Sequence, residues 1–457
     1  KIGVLMPLIL GTNSIKDTGY DVANSCRFND GSSDHMLKTA SAGNRRTFTF
    51  STWLKLSQLT TARYLFTSWS ANNDAGFTYL AITDGDKIKF SGYGTTYLET
   101  TQLLRDSSSW YHLVLAVDTP NDTANNRCRI YLNGSEITSF GTRNNPSEDA
   151  DLAYNQNSVD LVLASNNYGG SKGNYYDGYL AETVWIDGTQ YAASDFGEFN
   201  SQTGIWVPKV VTGLTFGTNG FYLDFKDSAN LGNDANGGTD LTEANLTAID
   251  QSTDTCTNNF ATLNPLGHLN QGTLSEGNLK IVSSNAYKVS PSTISVSSGK
   301  WYVENKITGS SPDAMVGVID VQDYQNDTAI SYVGQNTNSV GYYKDGRKFV
   351  GNSASSYGAS YTTDDIIGIA LDLDSGTKTI TFYKNGASQG AINLPTAGSE
   401  EWYFLPSPYN ATIEVNFGSP SYSESGGNSD GNGYGNFAAS VPANHYSLNT
   451  KNLAEFG

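Results

Sequence analysis

Thr47-Phe-Thr-Phe-Ser-Thr-Trp-Leu-Lys-Leu56 is the stretch that decides the fold. Alternate positions place Phe48, Phe50, Thr52, Leu54 and Leu56 on one face of an extended chain, the signature of a half-buried strand. The same reading extends outward to 110–117, 128–132, 161–164 and 179–186, all apolar or alternating. The run at 128–132 is followed by Asn133-Gly134, a strong short hairpin signal, and Asp187-Gly188 supplies another turn. A second series begins near Lys280 and covers 299–307, 314–319, 365–372, 379–383 (followed by Asn385-Gly386) and 411–417. Helical periodicity is essentially absent. The pattern predicts an all-β chain of two antiparallel jelly-roll or β-sandwich domains.

Composition agrees. The 457 residues include 47 Gly and 28 Tyr, and a formal charge of −18 arises from 27 Lys+Arg against 45 Asp+Glu. Only 16% of residues are charged and 38% are hydrophobic, which argues against a highly charged disordered chain and against a coiled coil. A pI near 4.5 without a basic cluster argues against nucleic-acid binding. No window approaches 18 apolar residues, so membrane insertion is not expected. The opening residues 1–10 are short and apolar, but Pro7 interrupts them and no small-x-small cleavage pattern follows. Met6 reads as a natural start. Cys26, Cys128 and Cys256 are odd in number and far apart, which argues against a disulfide framework and for folding in a reducing cytoplasm.

Five regions follow from these patterns. Residues 1–46 lack a core and read as a docking segment, and 47–200 form the first sandwich. Residues 201–270, rich in Gly, Asn and Asp, read as a connector with one or two strands. Residues 271–420 form the second sandwich, and 421–457 read as a flexible tether followed by a short docking tail.

Phe48-Thr-Phe-Ser-Thr-Trp53, Trp110-Tyr-His-Leu-Val-Leu115, Arg129-Ile-Tyr-Leu-Asn-Gly134 and Asp177-Gly-Tyr-Leu-Ala-Glu182 resemble a laminin G-like, concanavalin A-like jelly roll. Trp301-Tyr-Val-Glu304, Val316-Gly-Val318, the stretch from Asp365 to Asp374, Phe382-Tyr-Lys-Asn-Gly386 and Val415-Asn-Phe-Gly418 resemble a SPRY domain. The domain order, the opening Met6-Pro-Leu-Ile-Leu-Gly-Thr-Asn13 and the ending Leu448-Asn-Thr-Lys-Asn-Leu453 are similar to virion proteins of marine bacteriophages. That resemblance implies a phage tail or head fibre or appendage, made in the host cytoplasm and carried on the particle surface. Its implied partners are other virion proteins and host cell-surface glycans, and its implied state is a homo-oligomer, with a trimer favoured. A purely structural decoration of the particle and a polysaccharide-degrading enzyme are the alternatives.

Chemistry is sparse. The concanavalin A-like glucanases resembled here carry Glu-x-Asp-x-x-Glu on one strand, and no such run occurs. The acidic clusters Glu148-Asp-Ala-Asp151, Asp364-Asp365, Asp372-Leu-Asp374 and Glu400-Glu401 fall in or beside turns and read as solvated surface. His112 starts a strand and reads as structural, as do Trp53, Trp110, Trp185 and Trp301. No catalytic residue is assigned and the protein is expected not to be an enzyme. Sugars present C–H faces and hydroxyls, so flat aromatics beside amides and carboxylates are the expected recognition set. Asn166, Asn167, Tyr168, Tyr175, Tyr176 and Asp177 lie in one loop with that composition and are the carbohydrate-binding candidates. Tyr324, Asn326, Asp327, Tyr342, Tyr343 and Tyr357 are the comparable partner-binding set of the second domain. Ca2+ is the one cofactor considered, with Asp227, Asn233, Asp234 and Asn236 as oxygen ligands in a turn. Asn428-Ser-Asp-Gly-Asn432 is a second such turn.

Overall fold

The computed structural model describes residues 19–457 apart from 268, 269, 310, 311, 328 and 425. The chain divides into two compact units, Thr18–Thr257 and Asn258–Gly457. In the first, the decisive strand Thr47–Leu56 lies mid-sheet between Trp110–Asp118 and Gly178–Asp187, antiparallel to both. That sheet continues through Cys128–Leu132 on one side and through Ser25–Phe28 and Gln251–Ser252 on the other. A second antiparallel sheet has Lys87–Gly92, Phe77–Ile82, Arg63–Trp69 and Asp160–Leu163 at its centre. Phe48, Phe50 and Leu54 from one sheet meet Leu65, Leu80 and Phe90 from the other in a single core, as the alternation predicts. Asn133 and Gly134 have φ of 47° and 80°, the left-handed pair that a tight hairpin turn requires.

The decisive strand is nevertheless buried on both faces, with Trp53 at 4% and Lys55 at 1% exposure. The segments that cover it are ones the sequence places elsewhere. The expected docking segment 1–46 instead contributes Ser25–Phe28 to the first sheet and His35–Thr39 to the second, and it buries Cys26, Phe28 and Met36. Residues 1–18 of that expectation lie outside the described residues. The expected connector, as far as Thr257, is part of the same sandwich. Phe221–Leu223 pairs with Gly178–Asp187, and Thr242–Ala244 pairs with His35–Thr39. Two enclosed ion pairs fasten its end, Lys55 Nζ to Asp254 Oδ2 at 2.7 Å and Arg27 Nη2 to Asp250 Oδ1 at 3.1 Å. Strands of two or three residues carry no periodic signal, and buried charges in a polar stretch look like surface until their partners are known.

In the second unit Lys300–Thr308 is central, between Ile366–Asp372 and Ala411–Asn416. The facing sheet is built on Asp313–Asp320, flanked by Ser339–Tyr343 on one side and by Trp402–Phe404 and Ser407–Tyr409 on the other. Trp301, Val303, Val316, Val318, Ile369 and Phe382 fill the space between them. The expected tether and docking tail are corrected here too. Buried Glu304 accepts the backbone amides of Ala438 and Ala439, each at 2.9 Å. Tyr446–Ser447 adds in parallel to Lys300–Thr308, and the helix Thr450–Phe456 places Leu453 in the core. Gly, Ser and Asn lower local apolarity, so the segment reads as free chain. What anchors it is hydrogen bonding to buried carboxylates, which composition does not encode.

Candidate functional site

Among the described residues the large apolar side chains that stand exposed are Tyr93, Leu103, Tyr168, Phe199, Ile205, Val210 and Ile249, all in the first unit. Two of them end an aromatic row on the outer face of its second sheet. Leu80 and Ile82 of the strand Phe77–Ile82 point into the core, so parity puts Phe77 and Tyr79 on the other face, where Tyr79 is half-buried and Phe77 is covered by its neighbours. Tyr64 of the neighbouring strand lies 5.0 Å from Tyr79, Tyr79 lies 5.2 Å from Phe77, and Phe77 meets Tyr168 edge-on at 5.5 Å. Tyr168 then stacks on Tyr93 at 6.1 Å and 15°.

Short-range bonds fix the outer end of this row. Asp74 Oδ1 accepts the amide of Gly94 at 2.7 Å and holds the turn that carries Tyr93. Asn166 bridges to Gly173, and its Oδ1 accepts the amide of Tyr168 at 3.0 Å. Lys172 Nζ donates to Asn167 Oδ1 at 2.6 Å, and Trp69 Nε1 donates to Asn72 Oδ1 at 3.2 Å. Burial raises the Tyr64 phenol to about 12, and the hydrogen bond to Tyr93 raises Tyr168. The Tyr64 and Tyr168 phenols are neutral at physiological pH. The face offers aromatic surface, amides and hydroxyls without strong net charge.

The predicted loop is thus divided. Tyr168 stands in the row, with Asn166 and Asn167 shaping its base. Tyr175 turns away and packs on His35 at 5.7 Å. Tyr176 is a core residue, fully buried, with its phenol donating to the Lys55 carbonyl at 2.9 Å, and Asp177 is 5% exposed beneath it. Tyr64, Phe77, Tyr79 and Tyr93 were not among the sequence candidates. Alternation within 77–82 is the signal that could have found the first members.

The second set does not converge. Tyr324, on the short helix Val321–Asn326, and Tyr342, in the strand Ser339–Tyr343, are both fully buried. Tyr342 donates to the Ala359 carbonyl and Tyr357 to that of Gly390. Tyr343 donates to Asp313 Oδ2 at 3.2 Å. Asn326 is exposed, and Asp327 accepts from Ala329 N and Asn336 Nδ2, each at 2.8 Å. These tyrosines satisfy carbonyls and carboxylates of their own fold, so the partner-binding expectation is corrected for Tyr324 and Tyr342.

The calcium turns do not fit a cation. Asp227 accepts Ala229 N at 2.9 Å, and Asp234 Oδ1 accepts Tyr222 N and Asn236 N at 2.9 and 3.0 Å. Asn233 joins only the turn backbone, its amide donating to Asn230 O at 3.1 Å. Asp234 Oδ2 is left without a hydrogen bond, but the Lys38 ammonium already lies in the field of Asp234 and Asp240. In the other turn Asp430 Oδ2 accepts Ser447 N, Ser447 Oγ and Asn452 Nδ2 at 2.7–2.9 Å. Among the described residues no three His, Cys, Asp or Glu side chains form a ligand group.

The predicted acidic clusters pair with cations: Asp149 and Asp151 with Arg46, Asp365 with Lys384, Asp372 with Lys300 and Glu400 with Lys378. Glu182 is different. It lies at a register shift in Gly178–Asp187, with φ of 47°, and burial raises its carboxyl to about 7. Tyr222 Oη donates to it at 2.6 Å and Tyr20 Oη lies 3.4 Å away. At 4% exposure beneath two phenols, it is closed to a glycosidic bond.

Comparison with known proteins follows the division of the chain. Residues 30–192 match the model of the concanavalin A-like lectin/glucanases superfamily, and residues 300–420 match the SPRY domain. No curated protein sequence matches. Among solved structures, a human SPRY domain is similar at 18% identity and TM-score 0.25, over 32% of this chain and 91% of that one. A heptameric SAP-like pentraxin from Limulus polyphemus is similar at 13% identity and TM-score 0.29, over 38% of this chain and 80% of that one. A candidate carbohydrate binding protein from Bacteroides ovatus is similar at 15% identity and TM-score 0.34, over 49% of this chain and 58% of that one. On its family matches, this chain combines a concanavalin A-like domain with a SPRY domain.

Proposed function

We propose that this protein is a non-enzymatic surface protein of a bacteriophage particle, and that its concanavalin A-like domain holds a host-cell glycan on the aromatic row. The row from Tyr64 to Tyr93 carries the reading. Its exposed rings, Tyr93 and Tyr168, offer apolar faces to sugar C–H surfaces, and Asp74 is bonded to the turn that carries Tyr93. The domain order and the two terminal segments, which resemble marine phage virion proteins, support the particle assignment. One such site is weak, and a homo-oligomer such as a trimer would raise the avidity.

The test is saturable binding of the labelled full chain to intact candidate host cells, with and without EDTA, beside the Tyr168→Ala variant. Saturable binding that survives EDTA and falls at least about fivefold in the variant is expected. Equal binding by both chains, or no binding by the folded protein, would overturn the glycan role and leave a decoration of the particle. Antibody against the chain should label purified phage particles.

A further inference from the structure

The first unit holds a second aromatic site, on its other sheet. A cleft of about 390 Å³ opens between the hairpin of Gly197–Phe199 with Trp206–Pro208 and the turn after Cys128–Leu132. That volume is within the usual range for small-ligand sites. Trp206 forms the floor, Tyr131 and Phe199 stand beside it, and Ser194, Glu198 and Lys209 line the lip.

Trp206 is held from behind. Its indole can only donate, and Nε1 lies 3.1 Å from His112 Nδ1, so His112 accepts there and carries its proton on Nε2, 2.9 Å from Ser51 Oγ. Burial lowers the His112 pKa to about 3, so the imidazole is neutral and the relay is unchanged across physiological pH. The imidazole lies between the rings of Trp53, at 4.8 Å, and Trp206, at 5.8 Å. Gly134 and Gly197 press on the indole so closely that a Cβ would come within 2.2 and 2.6 Å of ring atoms. A ring so constrained loses little freedom when a ligand stacks on it.

The open side is angular and mixed in character. Phe199 is 54% exposed and meets the indole at 69°, with centroids 4.9 Å apart. Lys209 Nζ is tethered to the Ser194 carbonyl at 3.3 Å, while Glu198 is exposed. Aromatic walls with an acceptor and an anchored donor at the lip suit a ligand with an apolar face and hydroxyl edges. A purely apolar ligand would leave the lip unanswered, and either sign of ionic ligand would meet a like charge.

We propose that this cleft binds a neutral pyranoside, with its C–H face against Trp206 and Phe199 and its hydroxyls toward Glu198 and Lys209. The ligand class rests on the glycan-binding reading, but the residues are independent of the aromatic row.

The full chain labelled with 5-fluorotryptophan separates the two sites by 19F NMR. Trp206 reports on the cleft and is assigned through Trp206→Phe; Trp69 reports on the row. Methyl α-mannopyranoside, methyl β-galactopyranoside and methyl β-glucopyranoside are titrated in turn to about 50 mM, the range of weak single-site affinities. A saturable shift of the Trp206 resonance by at least one probe is expected, weakened about tenfold by Phe199→Ala and unchanged by Tyr168→Ala. A Trp206 resonance unmoved by all three overturns the cleft, even where Trp69 shifts and the row stands. A Trp206 shift indifferent to Phe199→Ala also overturns it.

Discussion

Tyr168 of the first unit stands 43% exposed on a loop, stacked on Tyr93, whereas Tyr342 of the second unit is fully buried, its phenol donating to the Ala359 carbonyl. Both come from Tyr-rich stretches of antiparallel sandwiches, and composition does not separate them. The difference lies in what each hydroxyl can reach. A tyrosine on a central strand, within reach of a turn carbonyl, satisfies its polar end and becomes core. A tyrosine at a loop tip finds only another ring and solvent, and its face stays available. The first unit exposes large apolar side chains and the second, among the described residues, exposes none of that size. The proposed recognition by aromatic stacking belongs, on this contrast, to the concanavalin A-like domain.

The sharpest way to break this contrast is truncation on both sides of it. Tyr324→Ala in the second unit should lower stability by about 3–5 kcal/mol, as removal of a large buried ring does, without changing cell binding. Tyr168→Ala should do the reverse, with a stability change below about 1 kcal/mol. Chemical denaturation and the binding assay, run on both variants, decide it; reversed profiles would mean the two surfaces have been misassigned.

The units also bury charge differently. The first pairs Lys55 with Asp254, both at 2% exposure or less. Lys55→Met keeps the stem but strands the aspartate, and should cost about 3–5 kcal/mol in denaturant unfolding. A neutral outcome would mean the aspartate is adequately held by Trp110 Nε1, which donates to its Oδ1 at 3.1 Å.

Glu182 predicts a pH dependence. Its folded carboxyl titrates at about 7, against an ordinary 4.5. The folded state thus holds a proton that the unfolded chain releases, so this contribution is complete below 4.5 and is lost as pH rises through about 7. Unfolding free energy should decline by up to about 3 kcal/mol between pH 5 and 8 on account of this group. Glu182→Gln should flatten that slope and be the more stable chain at pH 8. Parallel slopes for the two chains would refute it.

In the second unit Glu304 is instead held by amides, and burial raises its carboxyl while those amides oppose the rise. Glu304→Gln removes one of two oxygens that receive Ala438 N and Ala439 N. The expected cost is about 1–3 kcal/mol, read as faster limited proteolysis within 421–440. Unchanged cleavage would mean that this segment is anchored elsewhere.

Legibility varied in a regular way. Phe48 through Leu56, Ile366 through Leu371 and the two Asn-Gly turns were readable because alternation and positive φ are local properties. The short strands Phe221–Leu223 and Thr242–Ala244 were not, since three residues carry no period. At the candidate site Tyr168 was legible as an aromatic in a polar loop, but Tyr176, eight residues on, was indistinguishable from it and proved to be core. Tyr93 and Trp206 carried no signal at all, because their roles depend on neighbours distant in the chain.

The amino-acid sequence by itself determined that the chain is all-β and that it holds two sandwiches. These follow from residue chemistry and short-range geometry. Only the tertiary structure decided which tyrosines face outward, that 25–46, 201–257 and the described residues of 421–457 are built into the sandwiches, and that His112 orients Trp206. Each of those depends on which distant group completes a hydrogen bond, an ion pair or a ring contact, and that information is set by the closure of the sheets.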